Sequence, residues 1–473
     1  MVFNLIKRIN EKEIKTSRQS GGHIGINKII QMKKEKIYNI KNPDELLEFI
    51  NKNLAPKQIE KKTRGEVFTP MALVNEMLDK LPKDVWENKN LKWLDPAAGM
   101  GNFPVAVYMR LMEGLKKKLP SEEERRKHIL EKMLYMVEID KANVFMMKKI
   151  FCGGTYKLNI FEGSFLLYKE AKFDIVMGNP PFQNTNEEGE RIALNSNLWS
   201  VFIDLSFHKF LKDDGYLLFI TPTSWMSPAP SNKNKDVFYN NYIIHLNIKE
   251  CEKYFKGVGS EFSYYLIKKT TDKKETTVIC LYDNNIYESK MLIDDVLFLP
   301  TLLTDKSLTI IRKFYNNKLE KVSFKTSSEL HRTTKKSLIA DCNDKDFIHP
   351  LRHTETNKGL CSNIKHSLGD KNKILLNLSG YLDPLYDKGK LGFTQAQMYL
   401  LTNNKSYVDI LNSKLYKFIF KICKWSGFNI ENVFKNIPYI EGSGSSGSSS
   451  SDDKLYHLFK LTKDERSFIN KIV

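Results

Sequence analysis

The chain has no apolar run approaching the length of a membrane span, so no bilayer-crossing helix is predicted. Met1 to Arg8 likewise lacks the apolar core of a signal peptide, and the expectation is a soluble protein of the cytoplasm. Cysteine is sparse. Six are scattered through 473 residues without a Cys-x-x-Cys pair, which argues against a disulfide framework and predicts free thiols. Cys342, His349, His353, Cys361 and His366 fall close together, but their spacing is irregular and no metal is expected. No internal repeat is present. What the chain has in quantity is apolar residues, 41%, with 11% aromatic, enough for two or three packed domains and incompatible with global disorder.

Positive charge is abundant and unevenly placed within a net +18. Residues 1–64 carry 15 basic against 7 acidic side chains and residues 300–441 carry 23 against 13, whereas residues 65–299 carry 31 against 32. A nearly neutral middle between basic flanks predicts that the flanks grip phosphates. Lys335, Lys336, Lys371 and Lys373 are candidates for that role.

The middle region alternates strand and helix patterns, which predicts an α/β fold around a mostly parallel sheet with helices on both faces. Its most informative stretch is Asn179-Pro180-Pro181-Phe182, reached through the apolar run Phe173 to Gly178. This reads as a buried strand ending in a rigid turn, which presents an amide, backbone carbonyls and a ring at the carboxyl edge of the sheet. Such groups suit a planar amine, although an Asn-Pro turn that merely ends a strand has the same sequence. Upstream, Leu91 to Phe103 has the form strand, loop with Gly99 and Gly101, then helix, which lets a ligand approach the backbone closely. Met133 to Asp140 is a second apolar strand ending in acids; Glu138 reads either as a group that holds ribose hydroxyls or as the acid preceding the helix at Lys141.

Taken in order, Gly65-Glu66-Val67-Phe68-Thr69-Pro70, the Asp95 to Phe103 loop, Glu138-Ile139-Asp140 and Asn179-Pro180-Pro181-Phe182 resemble the blocks of the gamma-class adenine-N6 DNA methyltransferases of restriction-modification type. Gly215 to Pro222 is similar to a later core strand of that family. The resemblance is strong over about residues 60–270 and looser beyond, through Ser379-Gly380-Tyr381 and Leu391 to Gln395. It implies a Rossmann-like S-adenosylmethionine-dependent methyltransferase domain followed by a carboxyl-terminal α+β target-recognition domain. Asn179, Pro180, Pro181 and Phe182 would then be catalytic, the Asn179 and Pro180 oxygens accepting the two N–H bonds of an adenine amine while Phe182 stacks on the extruded base.

By the same resemblance Thr69 and Pro70, beside Val67 and Phe68, bound the S-adenosylmethionine pocket. Asp95, Ala97, Gly99 and Gly101 line its amino-acid end, Glu138 takes the ribose and Ile139 packs on the adenine. One position departs from the pattern: Ser164 stands where the family carries an acid that contacts the donor's adenine amine, with Phe165 retained for stacking. A hydroxyl accepts a hydrogen bond but lacks the charge, so Asn159 and Glu162 are candidates to substitute.

The expected organisation is a basic extension over 1–60, a catalytic domain over 61–295 and a target-recognition domain over 296–441. A Gly/Ser linker over 442–451 and one amphipathic helix over 452–473 complete it. The extension holds a Gly21 to Gly25 loop and a short helix around Pro43 to Ile50, and the Glu122 to Lys127 run is a solvated helix face. In 296–440 basic residues interleave with Phe314, Tyr315, Phe324, Tyr381, Tyr386 and Trp425. The implied partner is double-stranded DNA, with no membrane, and a cognate restriction endonuclease is a further partner that the resemblance admits. Methylation of RNA or of protein glutamine, and a non-catalytic specificity subunit, are the alternatives; the intact Asn179 and Glu138 argue against the last.

Overall fold

The computed structural model describes residues 69–151, 154–169, 171–182, 198–228, 233–255, 261–294, 296–354, 359–378, 382–425, 429–440 and 451–473. The expected extension over 1–60, the Gly65 to Phe68 part of the first block, the Ser379 to Tyr381 block, Cys152 and residues 442–450 of the expected linker lie outside them. The chain divides into two compact units, residues 1–222 with 233–277 and residues 223–232 with 278–473.

In the first unit, α1 (Met71–Leu78) precedes β1 (Trp93–Asp95) and α2 (Asn102–Gly114) follows it. Next come α3 (Glu122–His128), β2 (Leu134–Glu138), α4 (Lys141–Ile150), β3 (Asn159–Glu162) and β4 (Phe173–Gly178). After α5 (Leu198–Asp204), β5 (Leu211–Pro222) and α6 (Lys235–Tyr239), β6 (Tyr242–Ile248) and β7 (Phe262–Lys268) close the unit's share of the sheet. These seven strands lie in the order β3-β2-β1-β4-β5-β7-β6. The pairs from β3 to β5 are parallel, and β7 runs antiparallel to both β5 and β6.

This order follows from burial. Ile175, Val176 and Met177 of β4 and Trp93 and Leu94 of β1 are all fully buried, the continuous apolar pattern of strands covered on both faces. Helices α1, α2 and α4 contribute Leu73, Met77, Val105, Leu111 and Met147 to the same core. The parallel crossovers turn outward in opposite directions from β1 and β4. The switch point between those two strands opens a crevice at their carboxyl ends, and the Asp95 to Gly101 and Gly178 to Phe182 loops both leave from that edge. Helix α3 departs from a purely solvated face: Arg125 is buried, its guanidinium donating to Leu119 O at 2.6 Å and Pro120 O at 3.1 Å.

The second unit is mostly β structure with helices. A hairpin of Thr276–Tyr282 and Asn285–Met291 turns at Asp283-Asn284, both at positive φ, as a two-residue turn requires. Two small four-stranded sheets follow, with their strands within 325–401. Four of the expected basic-interleaved aromatics, Phe314, Tyr315, Phe324 and Trp425, are buried in this unit's core. The carboxyl terminus forms two helices, Ser451–Leu458 and Lys463–Ile472, where the sequence predicts one. Lys460 at φ 52 follows the first, and a capping box between Thr462 and Glu465 starts the second.

Two cysteines and a lysine of this unit also depart from expectation. Cys342 and Cys361 form a disulfide between neighbouring strand ends, where free thiols were expected; antiparallel pairing of Ala340 with Cys361 brings the two cysteine Cα atoms to 4.9 Å. Lys373 is not available to phosphate. Its ammonium is fully buried, 2.5 Å from Asp387 Oδ2 and 3.1 Å from Lys371 O, whereas Lys335, Lys336 and Lys371 are exposed.

Candidate active site

The two loops at the switch point are built by opposite devices. After β1, Asp95 turns back on its own loop and accepts the Ala97 N–H at 3.1 Å. Gly99 and Gly101 take φ of +56° and +96°, conformations that L side chains rarely adopt, and the Gly101 N–H closes a turn on Ala98 O at 2.8 Å. Space in front of Gly99 is open, since nothing lies within 4 Å of where a Cβ would stand. After β4 the chain is stiffened by Pro180 and Pro181, and Gly178 at φ +150° lets it pass close to Asp95.

Glu138 ties the first loop to β2. Its Oε2 accepts the Gly99 N–H at 2.7 Å and its Oε1 accepts the Asp140 N–H at 2.8 Å, while its backbone carbonyl accepts the Gly163 N–H at 2.9 Å. Oε1 also accepts from Asn143 Nδ2 at 3.4 Å. Next to it Ile139 is 69% exposed, an apolar side chain turned outward beside a buried acid. Asp140 caps α4 through Ala142 N–H at 2.7 Å.

Asp95 is buried, and loss of hydration pushes its carboxyl up to about 8; the bond from Ala97 lowers it, and the nearby Glu138 charge adds to the rise. A site that holds a carboxyl at the edge of ionisation is suited to a cationic ligand, whose charge would favour the ionised form.

Thr69 joins the two loops. It is buried; its carbonyl accepts from Asn102 Nδ2 at 2.7 Å, and its Oγ1 accepts from Asn179 Nδ2 at 2.9 Å. The second bond holds the Asn179 amide against Thr69. Pro70 begins α1, accepting the Val74 N–H at 3.0 Å. Phe182 is half-buried, its ring 5.2 Å from that of Phe262, which backs it from β7.

The third block sits differently. Ser164 accepts the Leu166 N–H at 3.3 Å and caps a short turn. Phe165 is only 2% exposed, its ring 5.0 Å from Phe202 and 5.1 Å from Phe210, so it is part of the core. Asn159 donates from Nδ2 to two carbonyls, Leu130 O and Leu134 O, each at 3.2 Å. Glu162 is exposed, 3.9 Å from Lys141. The sequence reading missed Asn102 and Gly178, although both lie inside quoted blocks. A glycine directly before Asn-Pro and an amide at the start of a buried helix were the available signals.

The suggested Cys/His cluster is otherwise engaged: Cys342 and Cys361 are bonded to each other, and His353 Nδ1 lies 2.5 Å from Thr394 Oγ1. Among the described residues no group of three or more His, Cys, Asp or Glu side chains could hold a metal ion. Among them too, no helix is long and apolar enough to cross a membrane.

Comparison with known proteins bears on this arrangement. Residues 104–255 match the Eco57I restriction-modification methylase family. The chain is 27% identical over 295 residues to an uncharacterized adenine-specific methylase of Mycoplasma pneumoniae, an alignment covering 44% of this chain and 68% of the relative. Over these residues the chain is similar to the adenine-specific methylases of restriction-modification type.

It is also 38% identical over 73 residues to the modification methylase CviBIII of Paramecium bursaria Chlorella virus NC1A, covering 15% of this chain and 19% of the relative. Its fold is similar to that of a nuclease-deletion mutant of the Type ISP restriction-modification enzyme LlaGI, solved with a DNA substrate mimic. That likeness has a TM-score of 0.54 at 11% identity and covers 98% of this chain and 60% of the other. The chain spans about half the length, 49% and 51%, of two chains from type I restriction-modification structures that it also matches. The order of the sheet and the likeness to the LlaGI enzyme make this a Rossmann-like methyltransferase fold.

Proposed function

We propose that this methylase transfers a methyl group from S-adenosylmethionine to N6 of an adenine extruded from duplex DNA. The observation that carries the reading is the Thr69 Oγ1 bond to Asn179 Nδ2, which anchors the amide of the Asn-Pro-Pro-Phe turn beside the glycine loop at the switch point.

The residues present fit the donor. Open space before Gly99 admits a ligand against the backbone, Glu138 places a carboxylate beside that space, Ile139 offers an apolar surface and Asp95 favours a cation. Thr69, Pro70, Asp95, Ala97, Gly99, Gly101, Glu138 and Ile139 would hold S-adenosylmethionine, with Ser164 at its edge. When bound, it supplies an electrophilic methyl group on a sulfonium, so no strong base is needed.

The chain's own contribution is to the acceptor. An adenine amine is a poor nucleophile because its lone pair is delocalised into the ring. Asn179 Oδ1 and the Pro180 carbonyl accept its two N–H bonds and stabilise the positive charge that develops on nitrogen, after which the surplus proton passes to water. Phe182, backed by Phe262, stacks on the extruded base and offsets part of the few kcal/mol lost on unstacking it. Residues 296–441 read the target, with exposed Lys335, Lys336 and Lys371 on phosphates.

The test is direct. The full chain is incubated with S-adenosylmethionine and duplex DNA, and modified bases are located by sequencing. N6-methyladenine at a defined site supports the reading; methyl transfer only to RNA or protein glutamine, or none at all, rejects it.

A further inference from the structure

Asn102 is the first residue of α2 and is buried at the edge of the hydrophobic core. It is 7% exposed, and of its two amide groups only one is used: Nδ2 donates to Thr69 O at 2.7 Å, while among the described residues Oδ1 has no hydrogen-bond partner. A buried, half-satisfied amide is a poor choice for stability, and asparagine is a weaker helix former than alanine. What Asn102 does secure is Thr69, thirty-three residues earlier in the chain. Thr69 in turn holds Asn179, 110 residues later, through the 2.9 Å bond from Nδ2 to its Oγ1.

The three side chains therefore form a series. Asn102 fixes the Thr69 backbone, and Thr69 fixes the position of the Asn179 amide. Displacement of that amide would move its Oδ1 out of reach of a target amine that donates to it. An error of that kind costs rate without costing donor binding, because Asn179 serves the acceptor.

We infer that Asn102 is a positioning residue for methyl transfer, acting on Asn179 through Thr69. The inference rests on the reading of Asn179 given under Proposed function. Alanine at position 102 removes one unpaired acceptor, its own Oδ1, and leaves another, Thr69 O. The net effect on stability is therefore small, whereas the constraint on Thr69 is gone.

The test compares the unaltered full-length chain with Asn102→Ala, Thr69→Val, the double variant and Asn179→Ala. Single-turnover methyl transfer to DNA at saturating S-adenosylmethionine, donor binding by calorimetry and thermal melting are measured on each. Asn102→Ala should slow transfer about tenfold at saturating donor, as expected when a reacting geometry loosens, a larger loss than any in donor affinity through Thr69, with an unchanged melting temperature. Thr69→Val should also slow transfer, and the double variant should be no slower than the slower single variant, since both changes act on one series.

Independent, multiplied losses in the double variant overturn the inference. So does a loss in Asn102→Ala that tracks a fall in melting temperature or donor affinity, or normal transfer by Asn102→Ala when Asn179→Ala is inactive. Normal transfer by Asn179→Ala would overturn the functional reading itself and the inference with it. If Asn102→Ala does not fold, Asn102→Ser takes its place, its hydroxyl being too short to reach Thr69 O. Failure of both to fold makes the residue structural and overturns the inference.

Discussion

Gly178 and Asp95 approach so closely that a Cβ added at Gly178 would stand 2.7 Å from Asp95 Oδ1. The glycine ends β4, the aspartate ends β1, and their approach sets the spacing between the loop that carries the Asn-Pro-Pro-Phe turn and the loop that faces the donor. Gly178→Ala must strain a φ of +150° and displace a buried carboxyl. It should destabilise the chain by about 1–3 kcal/mol or more and weaken S-adenosylmethionine binding as well. Thermal melting and donor titration check this; an alanine variant with native melting and native affinity would show that the two loops are not set by this approach.

Asp95 makes stability fall with rising pH. In the folded chain its carboxyl keeps its proton up to about 8, whereas in the unfolded chain it ionises near 3.8. Between those values the folded state holds the extra proton, so raising the pH across that window favours unfolding. Melting temperatures taken from pH 5 to 9 should decline less steeply for Asp95→Asn than for the unaltered chain. Donor binding should show the opposite trend, strengthening towards pH 8 with release of a proton, because a bound cation favours ionised Asp95. Calorimetry in buffers of different ionisation enthalpy measures that proton; no proton release would mean that the cation lies elsewhere.

Asn179→Ala should reduce methyl transfer about a hundredfold or more while S-adenosylmethionine still binds, since the side chain acts on the developing charge of the acceptor. Calorimetry on the variant decides the point. Lost donor binding with an intact fold would move Asn179 into the donor site.

Glu138 and Ser164 should respond in opposite directions. Glu138→Ala removes the acceptor for the Gly99 and Asp140 N–H groups as well as any bond to a hydroxyl. Donor affinity should fall by about 1.5–3 kcal/mol, accompanied by a lower melting temperature. Ser164→Asp keeps a capping oxygen for Leu166 and adds the charge that the family carries there, so it should tighten binding without loss of stability. Weaker binding by Ser164→Asp would mean that the donor pocket closes differently at this turn.

The exposed and buried lysines of the second unit should separate cleanly. Neutralising Lys335, Lys336 and Lys371 to Gln should lower the slope of log affinity against log salt for duplex DNA by about 0.9 for each phosphate no longer neutralised, with donor binding unchanged. Lys373→Gln should instead destabilise the chain by about 3–5 kcal/mol, because it leaves Asp387 buried and unpaired. An unchanged salt slope in the triple variant would put the phosphate-gripping surface elsewhere, and a fully stable Lys373→Gln would show the pair to be dispensable.

The local sequence determined the strands, the glycine loop and the Asn-Pro-Pro-Phe turn. Apolar runs such as Phe173 to Gly178 are long enough to specify a buried parallel strand, and Gly99, Gly101, Pro180 and Pro181 set the backbone angles open to the chain whatever surrounds them. That is why the fold class and the site's composition were legible before any coordinates. Only the tertiary structure decided how those pieces meet. The series from Asn102 through Thr69 to Asn179, the approach of Gly178 to Asp95 and the pairing of Cys342 with Cys361 each join residues 19 to 110 positions apart, and no local pattern encodes such distances. Burial did the same for single residues. Lys373 and Phe165 carry side chains that read equally well as surface groups or core members, and only the packing of neighbouring strands and helices around them took both out of water.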